Sequence, residues 1–188
     1  MAEDRRIRKT KKSMADALGM LLMEKPLKNI TVREIAERAD INRGTFYLHY
    51  KDVFDMAEQV LAEMFKKFDA IVSDYEPQKN ANTLFPLLVK IFELVAENAD
   101  MTQCMIGKNG DAAFVDKLKN VIHEKCFVGL QDIFVFENED EWNYFYNFII
   151  SGCIGLISAW LEGGQKETPQ QVAAMTEKLI LNGVKAFT

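Results

Sequence analysis

Histidine and cysteine are scarce in this chain, two and three residues among 188, and the cysteines show no metal-like spacing. Neither a metal centre nor a cofactor is therefore expected. There is no glycine-rich phosphate loop and no G-x-S-x-G elbow, which removes the common equipment of nucleotide-using enzymes and serine hydrolases. The chain is not expected to be an enzyme. The apolar/polar alternation of strands is missing as well, and the opening M-A-E-D-R-R-I-R-K carries charge without the apolar run of a secretory leader. Few cysteines and no leader lead us to expect a reduced, cytoplasmic compartment.

Hydrophobic residues, by contrast, make up 48 % of the sequence, enough for one sizeable core or two modest ones. Their spacing is helical throughout, so the expected fold is all-α, with about nine helices. Met14, Ala17, Leu18, Leu21 and Leu22 form a first stripe, and a long helix is expected over about 53–72. Leu84, Leu87, Leu88, Ile91 and Val95 mark the next helix, and 101–106 fits either a loop or a short helix. A further helix is expected over about 112–134. Asn138 and Glu141 read as a capping box before a helix apolar on nearly all sides, and Thr168-Pro169 opens the last one. The acids Glu137, Glu139, Asp140 and Glu141 suit the positive end of a helix dipole better than a metal.

The uncharged run from Asn143 to Leu161 approaches a membrane-spanning length, but Asn143, Asn147, Ser151 and Ser158 interrupt it. Glu141 and Glu162 flank it, and no positive-inside signal is present, so no membrane partner is expected.

Residues 31 to 51 carry the sharpest signal. Val32, Ile35, Ala36 and Ala39 keep helical spacing behind Thr31, an N-cap with Glu34 three residues on. The pattern breaks at Asp40-Ile41-Asn42, and Asn42 can cap a second helix over about 43–50. Two helices joined so tightly cross steeply, as in a helix-turn-helix. Phe46 then points at the first helix, and Arg43, Gly44, Thr45, Tyr47, Leu48 and His49 lie on or near the outer surface with Asn42 at its start. Arginine can bond guanine bidentately, and threonine can meet a thymine methyl. Tyr47, His49 and Lys51 can donate to phosphates.

In I-T-V-R-E-I-A-E-R-A at 30–39 and I-N-R-G-T-F-Y-L-H-Y-K-D at 41–52 the chain resembles the TetR family of bacterial transcription regulators. The likeness is strong over about 8–65 and extends to the rest only in layout. It implies that Thr31, Tyr47, His49 and Lys51 clamp phosphates while Arg43, Gly44, Thr45 and Leu48 face bases. One departure stands out: where the family commonly has a second lysine shortly after Lys51, this chain reads Asp52-Val53. Further on, G-L-I-S-A-W-L-E-G-G followed by T-P-Q-Q is similar to a C-terminal subtype met in regulators of dihydroxyacetone kinase operons. The expected division is 1–52 for the DNA-binding domain and 53–188 for a regulatory and dimerisation domain.

Charge agrees with that division. Residues 1 to 51 carry 12 Lys/Arg against 7 Asp/Glu, whereas the remainder carries 11 against 21. Arg5, Arg6 and Lys9, within a cluster that includes Arg8, Lys11 and Lys12, read as a basic arm along phosphates or a minor groove. A homodimer is expected, because one short helix reads too few bases and two read a palindromic double-stranded operator. Its interface is placed on Gly152, Gly155, Ser158 and Ala159 with Met175, Leu179 and Gly183. A small apolar or amphipathic effector would sit among Phe92, Met101, Cys104, Met105, Phe114, Phe145, Phe148 and Trp160, with His123 and Cys126 as polar handles. The competing reading is a helical adaptor or coregulator that binds a protein or lipid and has no conventional inducer.

Overall fold

The computed structural model describes residues 2–75, 83–106, 115–116, 118–123 and 138–182. Every regular element among them is helical. In chain order they are α1 (Ala2–Glu24), a 3-10 turn (Leu27–Asn29), α2 (Val32–Arg38), α3 (Arg43–Tyr47) and α4 (Val53–Ser73). After these come α5 (Phe85–Glu97), α6 (Ala99–Ile106), a helical piece at 118–123, α7 (Glu139–Glu162) and α8 (Pro169–Asn182). The expectation of about nine helices is met.

The chain forms two compact units. The first comprises Met1–Phe65 together with Asn98–Gly110. Its core takes Met14, Ala17, Leu18 and Leu21 from α1, Ile35 from α2, Phe46 from α3, Met56 from α4 and Met101 from α6. The boundary expected at residue 52 thus marks the end of the helix-turn-helix and not of the compact unit. The stretch 101–106 is helical and belongs here, because Gly19 lets α1 and α6 come together without a side chain between them. A Cβ at Gly19 would stand 3.0 Å from Asp100 Cβ and 3.1 Å from the Met101 amide nitrogen. A glycine inside an otherwise good helix, usually unfavourable, is the mark of this packing.

The second unit comprises Lys66–Glu97 and Asp111–Thr188. Here α5 and α8 pack around Leu84, Leu88, Phe92, Val95, Val172 and Ala173, joined by Trp160 of α7. The Trp160 ring meets Phe92 edge-on at 5.5 Å, and its indole N–H donates to the Glu167 carbonyl at 3.0 Å. A second cluster on α7 gathers Trp142, Tyr146 and Ile150. The caps read from sequence are present: Asn138 Oδ1 accepts the Glu141 amide at 2.9 Å, and Thr168 and Gln171 exchange bonds across the first turn of α8. By length and a mean hydropathy of 1.4, α7 could cross a membrane. Four of its side chains, Trp142, Tyr146, Ile150 and Trp160, are buried in the core of this unit, and the greater part of its apolar stretch is not. The expected helix over 112–134 lies mostly outside the described residues, as do Phe114, Cys126 and Gly183.

Candidate nucleic-acid interface

The candidate surface is built from local hydrogen bonds. Thr31 Oγ1 accepts the Glu34 amide at 3.3 Å, while the Thr31 amide and hydroxyl donate to Glu34 Oε2 at 3.0 and 2.8 Å. This closes the capping box at the start of α2. Lys25 Nζ lies 2.5 Å from the other oxygen, Glu34 Oε1. That ammonium, followed by the bonds from Thr31, holds the Glu34 carboxyl down to about 2. At its far end α2 closes in a Schellman motif: the Ile41 amide bonds the Ala36 carbonyl at 3.0 Å and the Asp40 amide the Glu37 carbonyl at 3.4 Å. Asp40 takes the left-handed conformation this needs, with φ 54°.

The chain then enters α3 through Asn42, whose Oδ1 accepts the Gly44 amide at 2.8 Å. Phe46 is fully buried, and its ring meets Tyr47 edge-on and Tyr50 at a tilt, both at 5.6 Å. Tyr50 is buried as well, with Lys11 Nζ 5.6 Å above its ring, so α1 anchors the end of the motif. The opposite side of α3 is bare. Arg43 and Gly44 are exposed, Thr45 and His49 are half-buried, and Tyr47 and Leu48 are 59 % and 80 % exposed.

Charge separates in the same way. On α2, Arg33 is paired with Glu37 and Arg38 with Glu24, each at 2.6 Å. Neither Arg43 nor Lys51 forms a salt bridge among the described residues. Arg43, at the start of α3, thus has no carboxylate partner among the described residues, whereas the charge of Lys51, at its exit, is felt by Asp55. Two expectations change. Residues 5–9 are the second and third turns of α1 and not an extended arm, so Arg5, Arg6 and Lys9 project from a helix. The Thr31 hydroxyl already donates to Glu34, so a phosphate bond from it would have to displace that partner.

Asp52, where a lysine is common, has a local task. Its Oδ1 accepts the Phe54 and Asp55 amides at 2.8 and 2.9 Å, capping α4, while Asp55 Oδ2 accepts the Lys51 amide at 2.8 Å. The Asp52-x-x-Asp55 spacing before an apolar run is the sequence signal for this cap.

Two family profiles match. The one described as "Bacterial regulatory proteins, tetR family" covers residues 16–60, and a TetR-type profile described as "Transcriptional regulator C-terminal region" covers 82–182, more than half the chain. The chain belongs to the TetR family.

A curated TetR-like relative is the uncharacterized HTH-type transcriptional regulator YxbF of Bacillus subtilis (strain 168), 43 % identical over 49 residues. Those residues are 26 % of this chain, and the match spans only 13 % of the length of YxbF. Among solved structures, the transcriptional regulator FadR of Bacillus subtilis in complex with stearoyl-CoA is similar with a TM-score of 0.62 at 17 % identity. That likeness covers 92 % of this chain and 98 % of FadR. The dihydroxyacetone kinase operon activator DhaS gives 0.61 at 16 % identity, covering 95 % and 97 %. At these identities the likeness is one of fold, and the fold is that of TetR regulators.

In the C-terminal unit of this TetR-family chain, a cavity of about 140 Å³ lies among α5, α7, α8 and residues 68–75 and 118–122. Of the residues expected to hold an effector, Phe92 and Phe145 line it. Met101, Cys104 and Met105 do not: they are on α6, in the first unit, where Met101 and Met105 pack with α1. Trp160 is a core residue beside Phe92, and Phe114 lies outside the described residues. His123 is not in this cavity but in a polar cleft with Asp116, Lys119 and Asn143, its ring edge-on to Tyr146 at 4.9 Å. Phe148 is 76 % exposed, on the outer side of α7. It shares the exposed surface of α7 with Tyr144, 79 % exposed, and with Gly152, Gly155 and Ala159. A Cβ added at Gly152 or Gly155 would meet nothing within 4 Å. Met175 on α8 is 41 % exposed, Leu179 is half-buried, and Gly183 lies outside the described residues.

Proposed function

We propose that this TetR-family regulator is a homodimeric repressor that reads a palindromic operator with α3 and is released by an apolar effector in its C-terminal unit. The observation that carries the reading is the two-sidedness of α3: Phe46 fully buried, with Arg43, Tyr47 and Leu48 presented outward. A helix this short gives few base contacts, so two copies related by a two-fold axis, about 34 Å apart, are needed for a specific site. In this reading Arg43, Gly44, Thr45 and Leu48 meet base edges. Asn42, Tyr47, His49 and Lys51 hold the backbone, Thr31 joins them only by giving up its bond to Glu34, and Arg5, Arg6 and Lys9 of α1 add charge near it.

The exposed small-residue surface of α7, with Phe148 and Tyr144 beside it and Met175 and Leu179 on α8, supports a four-helix dimer interface. Large apolar surface left bare in a single chain is ordinarily covered by a partner. The effector binds the cavity between α5, α7 and α8. Because α4 is one unbroken helix passing from the first unit into the second, a shift of its C-terminal turns is carried to α3 and changes the spacing of the two reading helices.

Selection of bound sequences from random duplex DNA tests the whole reading. A palindrome with half-sites one helical turn apart is expected, with affinity that falls steeply as salt rises. Binding without sequence preference, or to a single half-site by a monomer, would overturn it.

A further inference from the structure

We infer that the effector cavity of the C-terminal unit is cut for a compact, uncharged, apolar molecule of about benzene's size and not for a lipid with an anionic head. The inference rests on the effector reading above. Size is the first argument. The cavity measures about 140 Å³, and a dry apolar void of roughly 150 Å³ takes up benzene or xenon. A stearoyl chain, with about three times the carbons of benzene, overfills such a space. The fold shared with FadR therefore does not bring its ligand along.

Chemistry is the second argument. No charged residue, histidine or side-chain amide lines the cavity among the described residues; its walls are aliphatic and aromatic, with Leu87, Phe92, Phe145 and Ile154 among them. Three lining side chains carry a polar hydrogen: Tyr75, Cys153 and Thr176. Two are already committed. Tyr75 donates to the Thr83 carbonyl and Thr176 to the Val172 carbonyl, each at 2.8 Å. Burial pushes the Cys153 thiol up to about 11, so it stays neutral at physiological pH and is a poor nucleophile. A carboxylate or phosphate entering this space would give up its water and find no uncommitted strong donor among the described lining residues. Selection by the described walls is therefore by shape and dispersion.

The test titrates the full-length protein with benzene, with hexanoate and with stearoyl-CoA by calorimetry at neutral pH, and measures operator affinity in parallel. Hexanoate matches benzene in carbon number and adds a charge. Benzene binding is expected, hexanoate binding at least about tenfold weaker, and stearoyl-CoA binding below detection. Cys153→Phe, which fills the cavity, abolishes benzene binding. Leu87→Ala, which widens it, admits naphthalene and keeps the test open if the filled variant misfolds. Hexanoate or stearoyl-CoA binding as tightly as benzene would overturn the inference, as would failure of benzene to bind both the native protein and Leu87→Ala. Benzene bound with operator affinity unchanged leaves the ligand class standing and ends the effector reading. Stearoyl-CoA releasing the operator while benzene does not ends the ligand class and keeps that reading.

Discussion

Arg43 and Lys51 are both exposed cations, yet the reading gives them opposite duties, and mutation separates the two. Arg43→Ala is expected to lose about 1 to 3 kcal/mol at the selected operator and to relax preference at one base pair. Lys51→Ala should weaken all sequences alike and reduce the salt slope by about one. Binding selections on both variants, with salt titrations, decide the matter; a base preference unchanged by Arg43→Ala removes it from the reading set. Gly44 makes a subtler case. A Cβ there would meet only Asn42 Oδ1, at 3.4 Å, so the protein itself has room for alanine. Alanine also favours helix over glycine by up to about 1 kcal/mol. Gly44→Ala is therefore expected to melt no lower than the native protein while binding its operator more weakly, because the missing methyl leaves space for DNA. Equal operator affinity would show that close approach at this position is not needed. These residues were legible in the sequence because their roles follow from neighbours within a few positions: Asn42 caps, Phe46 turns inward, and the rest of α3 faces out.

Among the helical elements, those that were legible carry their own boundary chemistry. Thr31 with Glu34, Asn138 and Thr168 each cap the helix they precede, and each was visible as a short side-chain pattern. What local pattern did not reveal was the partner of a helix. Phe148 sits on a helix apolar all round, and periodicity cannot tell an inward aromatic from one on the exposed side. Met101 and Met105 look like pocket residues by composition, but α6 is drawn against α1 through Gly19, some eighty positions earlier. The cap of α2 gives a pH prediction. Glu34 has an ordinary value of 4.5 and is held at about 2 by Lys25 and Thr31, so its ionised form favours the folded state. That contribution is complete above about pH 4.5 and disappears as the pH falls from there towards about 2. Urea melts across this range should show Glu34→Gln with a flatter acid limb than the native protein. Parallel limbs would mean that the carboxylate gains nothing from its cap.

For the molecule as a whole, the prediction concerns α7. A bulky side chain at Gly155 projects into open space in the single chain, so Gly155→Trp should leave the helical signal and melting cooperativity of the chain intact. It should nevertheless halve the mass in sedimentation and abolish high-affinity operator binding, since the close backbone approach of two copies is blocked. A dimer that survives this substitution would place the interface elsewhere. The charge division along the chain, basic at the reading end and acidic beyond it, was plain from sequence, as was the helical class. The contact of α6 with α1 alters how the reading head can be handled. Residues 98–110 are synthesised well after the motif they complete, so a ribosome must release them before Met14, Leu18 and Met56 are fully sheltered. Transplanting only the first 65 residues onto another regulator would strip that shelter, and the graft should aggregate or lose its amide protection unless the later helix travels with it.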